Sequence, residues 1–261
     1  MVVYSLGLYG EEQPVDSQLL IKRIDEKMNK HELKHVSSVI FWDYNGTILD
    51  DVNTCIMALN SMLSRRGLPA ITLEKYIDIF DFPIIQLYKR AGFDLEKESF
   101  TEILAPEYIS LYQPASYRAS LRSGVLELLK TFKSAGCTQV LLSASQRDLL
   151  LEQTNTLGLT PFFDSVLGLS DIYAKSKSEL AHQWILEKRI ESSNICVIGD
   201  TVHDFQVSLE LGCQCILICG GHNSKQRLQE SNAIVIEDFS ELLEMISNWF
   251  SLSYKSLWRK E

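Results

Sequence analysis

Two acidic side chains of this 261-residue chain stand where apolar runs end, and a third follows closely. Asp43 follows Val39-Ile40-Phe41-Trp42 and opens the segment Asp43-Tyr44-Asn45-Gly46-Thr47. Asp200 follows Ile195-Cys196-Val197-Ile198-Gly199, and Asp204 comes four residues later, at the start of a helical pattern. An acid at a strand end followed by a tight turn is a carboxylate held in a fixed, exposed position. Gly46 allows close backbone approach there, and the Thr47 hydroxyl can lock the turn. Taken alone, Asp43 reads as well as a capped turn, and Asp204 as a helix-start acid favoured by the dipole. Paired at one edge, two or three carboxylates with a carbonyl and waters make a hard-oxygen site that suits Mg²⁺.

Two further groups extend this constellation. Ser143 ends the apolar run Gln139-Val140-Leu141-Leu142, with Ser145 two residues on. A hydroxyl and a backbone N–H at a strand end can hold a phosphate oxygen. Lys175 and Lys177 both lie in Tyr173-Ala174-Lys175-Ser176-Lys177-Ser178-Glu179. A lysine is needed somewhere, because clustered carboxylates and a phosphate otherwise repel.

The elements that position these groups follow from periodicity. Apolar runs at 39–42, 139–142, 164–169, 195–198, 215–218 and 233–236 alternate with helical patterns at 124–134, 147–157, 178–188 and 204–211. Strands apolar throughout, separated by amphipathic helices, predict an α/β fold: a doubly wound parallel sheet covered on both faces. In such a sheet ligands bind at the carboxyl edge of the strands. Asp43, Ser143 and Asp200 all fall on that edge. The stretch 53–120 breaks the alternation with helical patterns at 54–66, 73–80, 84–91 and 99–112, and Pro69, Pro83, Pro106 and Pro114 are expected at its turns. It reads as an inserted all-helical cap. The expected organisation is an N-terminal helical extension over 1–36, a discontinuous core over 37–52 and 121–250, the cap over 53–120, and a C-terminal tail over 251–261.

Composition bounds the partners. A formal net charge of −9 argues against nucleic acid. No apolar run reaches the ~18–20 residues of a membrane span, and the N-terminus has no signal-peptide pattern. A cytoplasmic protein is therefore expected, with the oligomeric state, monomer or homodimer, left open. The six cysteines, none spaced as C-x-x-C, read as buried free thiols.

Asp after the first strand, Ser after the second, Lys before the fourth and Gly-Asp-x-x-x-Asp after the fourth, in that order, resemble the four motifs of the haloacid dehalogenase superfamily. The resemblance covers roughly residues 37–250 and is nearest to the phosphoglycolate phosphatase-like group with a helical cap. It implies a Mg²⁺-dependent phosphatase acting on a small phosphorylated metabolite. Asp43 would attack phosphorus and form an aspartyl-phosphate. Ser143 and Lys177 would complete the catalytic set, with Lys175 the alternative lysine. Asn45, Gly46, Thr47, Ser143, Ala144 and Lys177 would hold the substrate. Asp43, the Asn45 carbonyl and Asp200 would bind Mg²⁺, with Asp204 binding it or orienting its waters.

One position departs from the family. Its phosphatases usually carry a second Asp two residues after the nucleophile, to protonate the leaving group and later activate water. Here that residue is Asn45, which cannot shuttle a proton, and such help is typically worth ~10²–10⁴-fold. Three outcomes remain open: a substrate with a good leaving group, another acid, or a phosphate-binding regulatory protein on a degenerate scaffold. His203, Asp50 and Asp51 are acid candidates by proximity in sequence. Phosphonate-cleaving relatives use a cap lysine, for which Lys75, Lys89 and Lys97 are available. Tyr76, Phe82, Tyr88, Arg90 and Arg118 are expected to choose the substrate, and Gly220-Gly221-His222-Asn223 reads as a glycine-rich turn beside it.

Overall fold

The computed structural model describes residues 39–170 and 177–242. The expected extension over 1–36, the tail over 251–261 and Lys175 lie outside the described residues. The chain begins with β1 (Val39–Trp42) and β2 (Leu49–Asp50). Helices α1 (Val52–Arg65), α2 (Leu73–Ile79) and α3 (Ile85–Ala91) follow, then a π-helical turn (Phe100–Leu104) and α4 (Ala105–Ser116). After β3 (Ser120–Leu121) come α5 (Val125–Ser134), β4 (Thr138–Gln146), α6 (Arg147–Thr156) and β5 (Ser165–Leu169). The remainder runs α7 (Lys177–Lys188), β6 (Ile195–Gly199), α8 (Val202–Leu211), β7 (Gln214–Ile218), α9 (Lys225–Gln229) and β8 (Ile234–Ile236).

Six of the strands form a sheet in the order β5-β4-β1-β6-β7-β8, parallel at every pairing. The chain builds outward from β1 through β4 to β5, then returns to the other side of β1 for β6. That reversal puts a topological switch point beside β1. All four residues of β1 are buried, as a central strand covered on both faces requires. Val39 and Phe41 face one apolar layer, in which Trp184 of α7 meets Phe41 edge-on at 5.5 Å. Trp42 packs against Phe132 and Phe239 and donates its indole N–H to Gln139 Oε1 at 3.0 Å. Burial of a side chain such as Phe41 contributes roughly 1.5–3 kcal/mol.

Register sets the site. Trp42 lies opposite Leu141 on one side and Ile198 on the other. Asp43, Ser143 and Asp200 therefore reach the same edge. β4 runs beyond the expected end at Leu142. Between Leu142 and Gln146 it advances four residues while β5 advances two, from Leu167 to Leu169. Such an irregularity redirects side chains, and Ser143, Ala144 and Ser145 sit within it.

Helices α1 to α4 share an apolar cluster of their own, with Leu59, Met62, Leu63, Tyr88, Leu104 and Tyr112 buried in it. Arg66 braces it through Glu98 at 2.7 Å and Glu107 at 2.6 Å. The chain enters and leaves this insertion through an antiparallel pair that periodicity did not predict, Leu49 opposite Leu121 and Asp50 opposite Ser120. The proline expectation holds only partly: Pro106 lies in the first turn of α4, where no N–H is missed. Pro114 lies inside α4, which stops two residues later at Ser116.

Candidate active site

Asp43 leaves β1 with its N–H bonded to Ile198 O at 2.9 Å, and the turn closes through Ile48 and Leu49 N–H to Tyr44 O. Gly46 has φ 73°, and a Cβ there would stand 2.4 Å from Asp200 Oδ2 and 2.6 Å from His222 Cδ2. Only glycine lets this turn press against the β6 carboxylate. Arg122 ties the same turn to the end of β7, donating to Gly46 O at 3.2 Å and Cys219 O at 2.5 Å.

Carboxylate oxygens of Asp43, Asp200 and Asp204 lie within 4.8 Å of one another. Lys177 Nζ donates to Asp43 Oδ1 at 2.7 Å and to Asp204 Oδ1. Of the two candidate lysines, the site thus contains Lys177, at the start of α7 and 3% exposed. Thr47 Oγ1 donates to Asp200 Oδ1 at 2.8 Å and reaches Asp43 Oδ2 at 3.3 Å. Asp200 Oδ2 accepts from His222 N–H at 2.6 Å. Asp204 Oδ2 accepts from Thr201 N–H at 3.0 Å and Thr201 Oγ1 at 2.7 Å, a capping box at the start of α8.

The charges do not balance. Burial pushes Asp43 up to about 8; Lys177 opposes this, while Asp204 and Asp200 add to it. Burial also raises Asp200, with Asp204 adding to it against the pull of His222. Asp204 is also penalised by burial, but Lys177 outweighs that and holds it below the ordinary carboxylate range. Burial works against Lys177 as well, yet Asp204 and Asp43 keep it firmly protonated. Lys177 contacts two of the three carboxylates, Asp43 and Asp204, and the two whose ionisation is resisted, Asp43 and Asp200, belong to a hard-oxygen cluster. This donor set fits a divalent cation such as Mg²⁺.

Asn45 is locked in place. Its Nδ2 donates to Asp51 Oδ2 at 2.8 Å and to Tyr112 Oη at 2.6 Å, and its Oδ1 accepts from Ser145 Oγ at 3.0 Å. Asp51 is fully buried and also accepts from Gly46 N–H at 2.8 Å and Tyr112 Oη at 2.6 Å. Burial opposes its ionisation, but His222, Tyr112 and Asn45 hold it below the usual range. His222 faces Asp51 at 3.6 Å through Nε2, pairs with Tyr76 Oη at 3.0 Å through Nδ1, and stacks on Phe80 at 4.6 Å. Burial would depress its imidazole; the Asp51 and Asp200 carboxylates outweigh that and push it up to about 9.

Of the acid candidates, only Asp51 reaches Asn45. Asp50 is exposed on β2, and His203 stacks on Phe82 at 4.3 Å, with burial depressing its pKa. The segment read as a glycine-rich turn supplies a site residue, His222, as well as the backbone contact to Asp200. Ser145, noted two residues after Ser143 in the sequence, and Tyr112 also contact Asn45; Tyr112 carries no sequence signal beyond its type. Tyr76, Phe82 and Tyr88 line the cavity over Asp43. Arg90 and Arg118 do not: Arg90 is committed to Asp81 and Ile79 O, and Arg118 is exposed. Lys75, Lys89 and Lys97 are exposed and absent from the described lining, so none is placed for Schiff-base chemistry.

Comparison with known proteins agrees with this geometry. The model of the haloacid dehalogenase-like hydrolases matches residues 39–218. The chain belongs to the haloacid dehalogenase-like hydrolase family. Among curated relatives, a phosphoglycolate phosphatase of Vibrio parahaemolyticus is 25% identical over 218 residues, covering 80% of this chain and 96% of the relative. A phosphoglycolate phosphatase of Pseudomonas syringae pv. tomato is 24% identical over 213 residues, covering 78% of each chain. The fold matches the crystal structure of a "predicted phosphatase" from Clostridium acetobutylicum with TM-score 0.71 and 19% identity, over 82% of this chain and 100% of that one. The hydrolase family expected from the motifs and the doubly wound core expected from periodicity are thus established together. No described helix is long and apolar enough to cross a membrane.

Proposed function

We propose that the protein is a Mg²⁺-dependent phosphomonoesterase that works through an aspartyl-phosphate on Asp43, with helices α1 to α4 serving as a cap over the site. The observation that carries this reading is the contact of Lys177 with both Asp43 and Asp204 inside the three-carboxylate cluster. The curated relatives named phosphoglycolate phosphatase support the reaction class.

An Asp43 carboxylate oxygen would attack phosphorus while the bond to the leaving oxygen breaks. Lys177, already beside Asp43, would neutralise a phosphoryl oxygen. Ser143 Oγ accepts from Ser145 N–H at 3.1 Å, which leaves the hydroxyl proton for another. The backbones of Thr47 and Ala144 would complete the cradle; Gly46, expected there from the motifs, gives its N–H to Asp51 instead. Asp43, Asp200 and the Asn45 carbonyl would hold Mg²⁺, which when bound neutralises the phosphate charge and the carboxylates together. Asp204, whose oxygens accept from Lys177 and Thr201, would bind the ion or orient its waters. A water would then attack phosphorus and free Asp43.

Phosphate release from p-nitrophenyl phosphate tests this. Turnover should require Mg²⁺, stop on chelation, and vanish in Asp43→Asn. Undiminished activity in that variant would sink the mechanism.

A further inference from the structure

The cavity over Asp43 has a volume of about 170 Å³. From the insertion it is lined by Phe80, Phe82, Leu87, Tyr88, Tyr108 and Tyr112, among others, and from the core by Leu149. A benzene molecule fills an apolar cavity of ~150 Å³, and this space also takes in the phosphoryl end at Asp43, Ser143 and Lys177, so beside a phosphoryl group it has room for no more than one six-membered ring.

Its charges all stand at the phosphoryl end. Among the described lining residues the ionisable acids and bases, tyrosines and cysteine aside, are Asp43, Lys177 and His222. Lys177 is held by two carboxylates, and His222 is divided between Tyr76 and Asp51. None is left to meet an anion on the leaving group, and an unpaired carboxylate is strongly disfavoured among apolar walls. The glycolate carboxylate in the relatives' named substrate finds no uncommitted cation among the described lining residues.

Asn45 points the same way independently. When the bond from phosphorus to the leaving oxygen breaks, its electron pair stays on that oxygen, and Asn45 has no proton to give. A phenol with pKa about 10 departs as phenolate and takes its proton from solvent. An alkoxide, whose parent alcohol is nearly as weak an acid as water at ~16, does not.

We propose that the substrate is an aryl phosphate, the phosphate monoester of an uncharged single-ring phenol. This rests on the phosphomonoesterase reading above. Asp43 takes the phosphoryl group, the phenol leaves, and water releases inorganic phosphate from Asp43.

Steady-state kinetics with Mg²⁺ on four compounds separates the parts. Phenyl phosphate and cyclohexyl phosphate share size and apolarity but differ in leaving group. Phosphoglycolate carries the carboxylate, and acetyl phosphate needs neither ring nor acid. With acid help worth ~10²–10⁴-fold, kcat for phenyl phosphate should exceed that for cyclohexyl phosphate by about 100-fold or more, with similar KM. Its kcat/KM should exceed that for phosphoglycolate by a similar factor. Phosphoglycolate turned over as well as phenyl phosphate would overturn the assignment, as would equal kcat for phenyl and cyclohexyl phosphate. Acetyl phosphate turnover without phenyl phosphate turnover removes the aryl substrate and keeps the phosphatase. Silence on all four removes both.

Discussion

Asn45→Asp restores the carboxyl that this family's phosphatases carry, but it does so against an occupied neighbour. Asn45 Nδ2 donates to Asp51 Oδ2 at 2.8 Å, so the new group faces a buried carboxylate that His222, Tyr112 and Gly46 keep ionised. Two unit charges 4 Å apart repel by about 4 kcal/mol at an effective dielectric of 20, which raises the new group's pKa by roughly three. Starting from ~3.9 for aspartate, it is then poised near neutrality, where a general acid–base group works best. Its proton occupies the place of the amide hydrogen toward Asp51, and its other oxygen still accepts from Ser145. We expect kcat for an alkyl phosphate such as cyclohexyl phosphate to rise by about 100-fold, the low end of acid–base help, while phenyl phosphate changes little. The assay is kcat across pH 5 to 9 for both substrates, with a thermal melt to show that the variant folds. A folded variant with no gain on the alkyl ester would refute the idea that a missing acid limits this enzyme.

Other perturbations test the frame around Asp43. Lys177→Met leaves Asp43 and Asp204 unpaired, and breaking a buried pair costs about 3–5 kcal/mol, roughly 10 °C in Tm for a chain of this size. Melts with and without Mg²⁺ should show the ion recovering part of the loss; an unchanged Tm would contradict the charge accounting. Gly221→Ala places a Cβ 2.1 Å from Asp200 Oδ2 and should weaken Mg²⁺ binding ~10–100-fold, the usual effect of disturbing a ligand's support; calorimetric titration with unchanged affinity would count against Asp200 as a ligand. His222 has a folded-state pKa of about 9 against ~6.5 unfolded. Its contribution, up to about 3 kcal/mol, is therefore fully present below pH 6.5 and lost as pH rises through 9. Melts of the metal-free protein across that window should fall, and should fall less in His222→Asn.

The sheet was legible because its strands are apolar on both faces, so runs such as Val39–Trp42 stand out without any alternation to decode. Asp43, Ser143, Asp200 and Lys177 were legible because each adjoins such a run or opens a helix. The irregularity in β4 was not, since nothing about Ser143-Ala144-Ser145 tells a strand end from a strand that gains two residues on its neighbour. The antiparallel pair β2–β3 was hidden by its length, two residues on each side and 70 apart in the chain. His222 was hidden by its company: two glycines before it read as a loop, whereas Gly221 is small because Asp200 needs the space. Tyr112 reads from sequence as one more apolar position on α4. Only the folded chain brings its hydroxyl to Asp51 and Asn45.

The β2–β3 pair has a consequence for how such an enzyme changes. The chain leaves the sheet at Leu49 and Asp50 and comes back beside the same two residues, so the ends of the excursion are already joined. Loop-closure entropy grows only slowly with length; replacing the helices between the two strands with a different insert costs the sheet little and leaves Asp43, Lys177 and Asp200 in register. What the replacement loses is Tyr112 against Asp51 and Tyr76 against His222. Asp43, Asn45, Lys177 and Asp200 stay with the sheet, and the aromatic walls over them travel on a detachable segment soldered at one point.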